Sequence, residues 1–143
     1  MAVLAITPYI KDDLDAVTAI WFEGANSMGV AMPVTLADLR ERWLKEIAAG
    51  WDVYVARDGR VPVAFMALNP GKLDQLFVAA AYRGQGIGGR LLALARERMP
   101  EGFYLTTAIQ GRAHAFYQRE GLLRGEVSRH RFGHEIVRYD WRP

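Results

Sequence analysis

The feature that most narrows the folds open to this chain is the run Arg83-Gly84-Gln85-Gly86-Ile87-Gly88-Gly89. It follows a short apolar segment, Leu76-Phe77-Val78-Ala79, that reads as a buried strand. It opens into Leu91, Leu92, Leu94 and Ala95, spaced so that one stripe of a helix is apolar. A strand, then glycines, then a helix aims free backbone N–H groups and the positive end of a helix dipole at an anion. Glycines carry no Cβ, so a phosphate can approach the main chain closely. The segment predicts a phosphate-bearing ligand.

Gly84, Gly86 and Gly89 also satisfy G-x-G-x-x-G, the dinucleotide-binding fingerprint. That fingerprint needs an acidic residue about 20 positions on, to hold a ribose hydroxyl. The corresponding stretch, Thr106-Thr107-Ala108-Ile109-Gln110, has none, and too little chain follows for the further βα units of such a domain. A nicotinamide cofactor is therefore not expected.

The remaining segments give a mixed α/β order in one domain over residues 1–143, with no repeat or linker. Val3 to Ile6 reads as a strand closed by Thr7-Pro8, and Leu14, Val17 and Trp21 mark a first helix. Glu23 to Val34 reads as an irregular loop. Thr35-Leu36-Ala37-Asp38 has the capping-box pattern with Asp in place of Glu, ahead of a helix that Gly50 ends. Strands over 53–56 and 61–66 flank the hairpin signal Asp58-Gly59, and Asn69-Pro70-Gly71 turns the chain into a strand over 73–78. The glycine-loop helix stops at Met99-Pro100. Then come a strand over 103–109, a helix over 112–120 capped by Gly121, and two strands over 122–128 and 135–141.

Three blocks in this order resemble the GNAT superfamily of N-acetyltransferases. Arg83-x-x-Gly86-x-Gly88 matches that family's R/Q-x-x-G-x-G/A pyrophosphate loop. Leu73-Asp74-Gln75-Leu76-Phe77-Val78 before it looks like the family's fourth strand, and Ala113 to Gly121 resembles its A-x-x-F-Y-x-x-x-G helix. The similarity covers roughly residues 51 to 125. It implies a central, mostly antiparallel twisted sheet of about six to seven strands flanked by about four helices, an α+β arrangement. It also implies acetyl-coenzyme A as cosubstrate and an amine of a small molecule or peptide as acceptor. The pyrophosphate would lie on the 83–89 loop, and the pantetheine alongside the strand at Phe77 and Val78. A backbone N–H of Phe77 or Val78 would face the thioester oxygen. Gln110 stands where the family often has Asn, and the resemblance implies a contact from it to the cofactor or to backbone. Ala80 stands where the family often has Pro, and Leu122 where it usually has Phe.

Acetyl transfer to an amine needs a proton donor for the departing thiolate and an acceptor for the amine proton. Tyr117, in Phe116-Tyr117-x-x-x-Gly121, is the expected general acid; a phenol with a pKa of about 10 stays protonated at neutral pH. An alkyl amine titrates so far above neutrality that freeing its neutral form costs roughly 4.6 kcal/mol, which a carboxylate can help to meet. Asp74 is the first candidate for amine binding or proton removal. Strict alternation puts it on the face of Leu76 and Val78. Glu23 and Glu135 are the other carboxylate candidates. His114, one turn before Tyr117, could orient it. Met28 and Met32 hint at an apolar wall for the acceptor. A catalytically silent acyl-coenzyme A sensor would share all of these features except a use for Tyr117 and Asp74.

Composition excludes little else. The chain has 51% hydrophobic and 24% charged residues, no cysteine and a net charge of +2. Nucleic acid is not expected at that charge. No run approaches the ~20 apolar residues of a membrane span, and the N-terminus lacks a basic leader, so a cytoplasmic protein is expected. His130 and His134 lie without ligand-like spacing, so no metal is expected. A homodimer stays open.

Overall fold

The computed structural model describes residues 4–27 and 33–143. In chain order the elements are β1 (Leu4–Pro8), α1 (Leu14–Asn26), α2 (Leu36–Ala48), β2 (Asp52–Asp58), β3 (Val61–Asn69) and β4 (Lys72–Val78). There follow α3 (Ile87–Arg98), β5 (Phe103–Ala108), α4 (Ala113–Arg119), β6 (Leu123–Arg129) and β7 (Glu135–Trp141). The strands form a sheet of order β1-β2-β3-β4-β5-β7-β6. Every neighbouring pair is antiparallel except β4 and β5, which are parallel. The expected mixed α/β fold is what the chain forms.

Each face of the sheet has its own core. On one face α1 and α2 bury an aromatic group around Trp43, which is fully buried with Trp21 and Trp51 beside it. Trp43 meets Phe65 at 5.0 Å and Trp51 at 5.4 Å, both edge-on, an arrangement worth about 0.5–1.5 kcal/mol per pair beyond area burial. On the other face α3 and α4 cover a core that is mainly aliphatic, with Leu91, Leu92, Met66 and Leu105, and that also takes in Phe103, Tyr117 and Tyr139. Asp13, before α1, locks onto β2: both its oxygens accept from the Arg57 guanidinium, at 2.6 and 2.7 Å.

Local signals explain most boundaries. The Thr35 side chain accepts from Asp38 N at 3.0 Å while Asp38 Oδ2 accepts from Thr35 N at 2.9 Å, a closed capping box. Two expectations need correction. β1 runs on through Pro8, which pairs with Tyr54; a proline is tolerated because β1 is an edge strand. The loop expected from Glu23 begins later, because α1 continues to Asn26. Gly24 and Ala25 are buried there, and the missing Cβ of Gly24 leaves room for the Phe77 ring. Among the described residues no helix is long and apolar enough to cross a membrane.

Candidate active site

The parallel pair β4 and β5 is where the sheet opens. Their only paired residues are Lys72 and Tyr104, reinforced by Tyr104 N donating to Gly71 O at 3.0 Å. Beyond that point the strands diverge around a cavity of about 740 Å³, lined by Leu73 to Val78 on one side and Leu105 to Thr107 on the other. The glycine loop and α4 close its walls. A strand pair that separates leaves backbone donors and acceptors without partners, which an extended ligand can satisfy.

At one end stands the N-terminus of α3. Gly84 and Gly86 have φ of +77° and +82°, a left-handed backbone that only glycine adopts at little cost, and a Cβ on either would touch nothing within 4 Å. Gly86 is the N-cap and has no side-chain cap. The first helical bond is Arg90 N to Gly86 O, so the N–H groups of Ile87, Gly88 and Gly89 have no helical acceptor. Gly88 has a packing reason as well, since a Cβ there would come within 3.3 Å of the Phe116 ring. The residues fit an anion with closely spaced oxygens.

The other loop residues divide. Arg83 lines the cavity, with Nε donating to Val78 O at 3.2 Å and its guanidinium 3.6 Å from Glu23. Gln85 lies off the cavity wall, its side chain turned back to Ala81 O at 3.4 Å. Gln110 is exposed and also off the wall, which corrects its expected contact; Gly111 and Arg112 occupy that place instead. Arg112 and Arg119 add positive charge to the wall from the start and end of α4. Sequence reasoning missed both, although their i, i+7 spacing put them on one stripe of the helix.

The backbone of β4 is sorted by its ladder with β3. Ala79 N donates to Val63 O, and two residues back in the same register Phe77 faces Phe65. Antiparallel alternation therefore spends the Phe77 N–H on β3 and turns the N–H and C=O of Leu76 and Val78 toward the opening. The Arg83 bond to Val78 O agrees with this. The expected backbone donor is Val78; Phe77 contributes its ring to the wall and not its N–H.

Tyr117 lines the same cavity from α4 and is 5% exposed. Phe116 holds its ring at 5.1 Å and Tyr139 at 6.1 Å. Burial alone pushes its phenol well above the ordinary tyrosine range. The group stays protonated at neutral pH, but it is a weaker acid than the free phenol the sequence reading assumed. The Nδ1 atom of His114 is buried without a hydrogen-bond partner among the described residues, and no hydrogen bond through it orients Tyr117.

Asp74 departs from its expected face. The β3–β4 register slips between Ala67 and Leu68, so that Leu73 as well as Leu76 and Val78 pack under α3. This β-bulge turns the Asp74 carboxylate toward the aromatic face. There Oδ2 accepts from Trp51 Nε1 at 2.8 Å and Asn69 Nδ2 at 3.0 Å, while Oδ1 lies 3.4 Å from Lys72 Nζ. Asp74 still lines the cavity. The cavity is thus a slot through the sheet, with Tyr117 on one face and Asp74 on the other. Glu23 lies off the wall, where Oε1 accepts from Ala80 N at 2.9 Å; Glu135 is exposed at the start of β7. Met28 and Met32 lie outside the described residues.

Residues 49–121 match the family described as the acetyltransferase (GNAT) domain. The chain belongs to the GNAT acetyltransferase family. No curated protein sequence matches it significantly. Among solved structures it resembles the GCN5-related N-acetyltransferase of Rhodopseudomonas palustris, with a TM-score of 0.81 at 16% identity over 100% of this chain and 98% of that one. YncA of Salmonella typhimurium, solved with acetyl-CoA, gives 0.75 at 14% identity over 97% and 93%. The PaiA N-acetyltransferase of Thermoplasma acidophilum, solved with coenzyme A, gives 0.72 at 17% identity over 97% and 99%. At these identities the likeness establishes the shared GNAT fold. Family membership gives acetyl transfer as the general activity of the domain.

Proposed function

We propose that this GNAT domain transfers an acetyl group from acetyl-coenzyme A directly to a primary amine of a small molecule or peptide. The observation that carries the reading is the slot through the sheet, which one anion-binding helix terminus, one protonated phenol and one carboxylate all reach. The N–H groups of Ile87, Gly88 and Gly89 hold the pyrophosphate, with Arg83, Arg112 and Arg119 supplying charge around it. The backbone edge of Leu76 and Val78 binds an extended chain through the gap left by β5. Acetyl-coenzyme A brings the thioester, an acyl group already activated toward amines.

The residues then divide the proton work. Asp74 holds the ammonium group and takes one proton, so that the amine nitrogen can form its bond to the acetyl carbon. The Val78 N–H steadies the carbonyl oxygen as charge gathers there. Tyr117 Oη gives its proton to the sulfur as the carbon–sulfur bond breaks, and the second proton lost by the amine nitrogen restores the phenol. Burial makes this phenol reluctant to ionise, so the transfer draws on the thiolate being buried in the same slot. The products are an N-acetyl amine, free coenzyme A and one proton released to water.

Incubation with acetyl-coenzyme A and a panel of primary amines, followed by mass spectrometry, tests the reading. An acetylated amine is expected. Tight acetyl-coenzyme A binding with no product from any amine would make the domain a silent acyl-coenzyme A sensor.

A further inference from the structure

Lys72 is not used by the function proposed above, yet it touches the carboxylate on which that function depends. Oδ2 of Asp74 is occupied by two neutral donors, Trp51 Nε1 and Asn69 Nδ2. These fix the plane of the carboxylate and leave Oδ1 to a cation. The cation present is Lys72 Nζ at 3.4 Å, beyond ordinary hydrogen-bond length and therefore a loose ion pair. The same Nζ lies 5.7 Å from the centre of the Tyr104 ring. An alkylammonium thus already rests between a carboxylate and an aromatic face, where both attract it.

Two features make this lysine displaceable. Its side chain is 34% exposed whereas that of Asp74 is 11% exposed, so the carboxylate is fixed and the lysine has solvent to move into. The Tyr104 ring holds it only weakly, because that ring is already stacked by Arg138, whose guanidinium lies 4.1 Å from the ring centre against 5.7 Å for Lys72 Nζ. Asp74 meanwhile lines the main cavity, so a ligand there reaches the carboxylate that Lys72 approaches.

We infer that Lys72 is a resident competitor for the acceptor, and that the site selects a primary ammonium on an unbranched alkyl arm, whether a small alkylamine or a lysine side chain. The inference rests on the amine-acetylation reading. An acceptor of this class matches the charge and slim stem of the group it displaces. A neutral arylamine has no charge with which to compete. Lys72 is a specificity-determining residue in this account, and Trp51 and Asn69 are positioning residues for Asp74.

The test pairs binding with turnover, using n-butylamine and Nα-acetyl-lysinamide as probes and aniline as the uncharged control. Binding is followed by the Trp51 indole N–H resonance, which reports directly on Asp74. In Lys72→Met the Kd and KM of both alkyl probes should fall about three- to fivefold, the scale of a part-exposed ion pair. The KM of aniline and the affinity for acetyl-coenzyme A should stay unchanged. Asp74→Asn should abolish the resonance shift in either background. The tighter of the two alkyl probes identifies the source of the ammonium. Unchanged or weaker alkylamine binding in Lys72→Met would overturn the inference even if the parent acetylates both probes. Tightened binding without any acetylation would leave Lys72 as a competitor for an alkylammonium ligand but would sink the amine-acetylation reading, and with it the claim that this ligand is an acceptor.

Discussion

The two faces of the sheet meet the cavity in opposite conditions. On the α3 face the first turn of the helix offers backbone N–H groups with no helical acceptor, and the glycines at 84 and 86 have open space around them. On the α1–α2 face the polar groups are already spent on one another. Asp74 has Trp51, Asn69 and Lys72, and Glu23 has Ala80 N and Arg83. One side is shaped to gain contacts from a ligand, and the other must trade contacts to accept one. Binding strength is therefore expected from the α3 face and discrimination from the other. Changes on the α3 face should alter ligand binding or chemistry with little loss of stability; changes on the α1–α2 face should alter both.

The largest expected effect sharpens that contrast. Tyr117→Phe removes a hydroxyl whose shift is due to burial alone and leaves the ring packed on Phe116 and Tyr139. Turnover with a chemistry-limited amine should fall roughly 10²- to 10⁴-fold. Unfolding free energy should change by less than about 1 kcal/mol. Rate measurements alongside denaturant titration check both halves. A variant within threefold of the parent would make Tyr117 a packing residue.

On the opposite face, Asp13→Ala removes a buried carboxylate from the part-exposed Arg57 guanidinium, which keeps Thr7 and Pro8 as partners, and should cost about 1.5–3 kcal/mol of stability, read by denaturant titration. The parent should show the same pair in its pH dependence. Burial alone would raise the Asp13 carboxyl, but the Arg57 guanidinium and the Ile10 N–H together hold it below the usual carboxylate range. A depressed folded value means the contribution is complete above the unfolded pKa of about 3.9 and is lost as pH falls through the folded one. Stability of the parent should therefore drop in that acid range, and the drop should be smaller in Asp13→Ala.

Gly24→Ala probes where the α1–α2 face borders the slot. A Cβ there would lie 2.1 Å from the Phe77 ring, so the ring must move. Overpacking of this kind typically costs about 1–3 kcal/mol. A lower melting temperature together with a raised KM for the amine is expected, because Phe77 lines the slot. The smallest effect belongs to Gln85→Ala, whose side chain points back to Ala81 and away from the cavity. Acetyl-coenzyme A affinity, measured by calorimetry, should remain within about twofold, well under the tenfold that 1.4 kcal/mol represents.

The difference between the faces also decided what could be read from the residues. The glycine loop makes local demands, positive φ, no Cβ and an uncapped helix start, and such demands appear in the sequence itself. The Thr35–Asp38 capping box was legible for the same reason. Asp74 was not. Its face depends on a register slip opposite Ala67 and Leu68, a property of the pairing with β3 and not of β4 alone. The same pairing commits the N–H of Phe77 and frees that of Val78. Trp51, which fixes the Asp74 carboxylate, lies 23 residues away, and nothing in either segment announces the contact. Gln110 was misplaced because a family pattern gives the position of a residue without the direction of its side chain.

The central claim is that the uncapped start of α3 holds the pyrophosphate of acetyl-coenzyme A. Calorimetric titration of acetyl-coenzyme A into the parent, Gly86→Asn and Gly86→Asp tests it most directly. Both variants place a side chain at the same left-handed backbone, φ +82°, so they share any strain, and only Asp adds a charge. The account predicts clear binding to the parent, weaker binding to Asn, and at least a further tenfold loss with Asp, since a carboxylate there repels the phosphates and competes for their donors. Equal affinity in the Asn and Asp variants would contradict it, because an anion held at this terminus must sense a negative charge placed upon it.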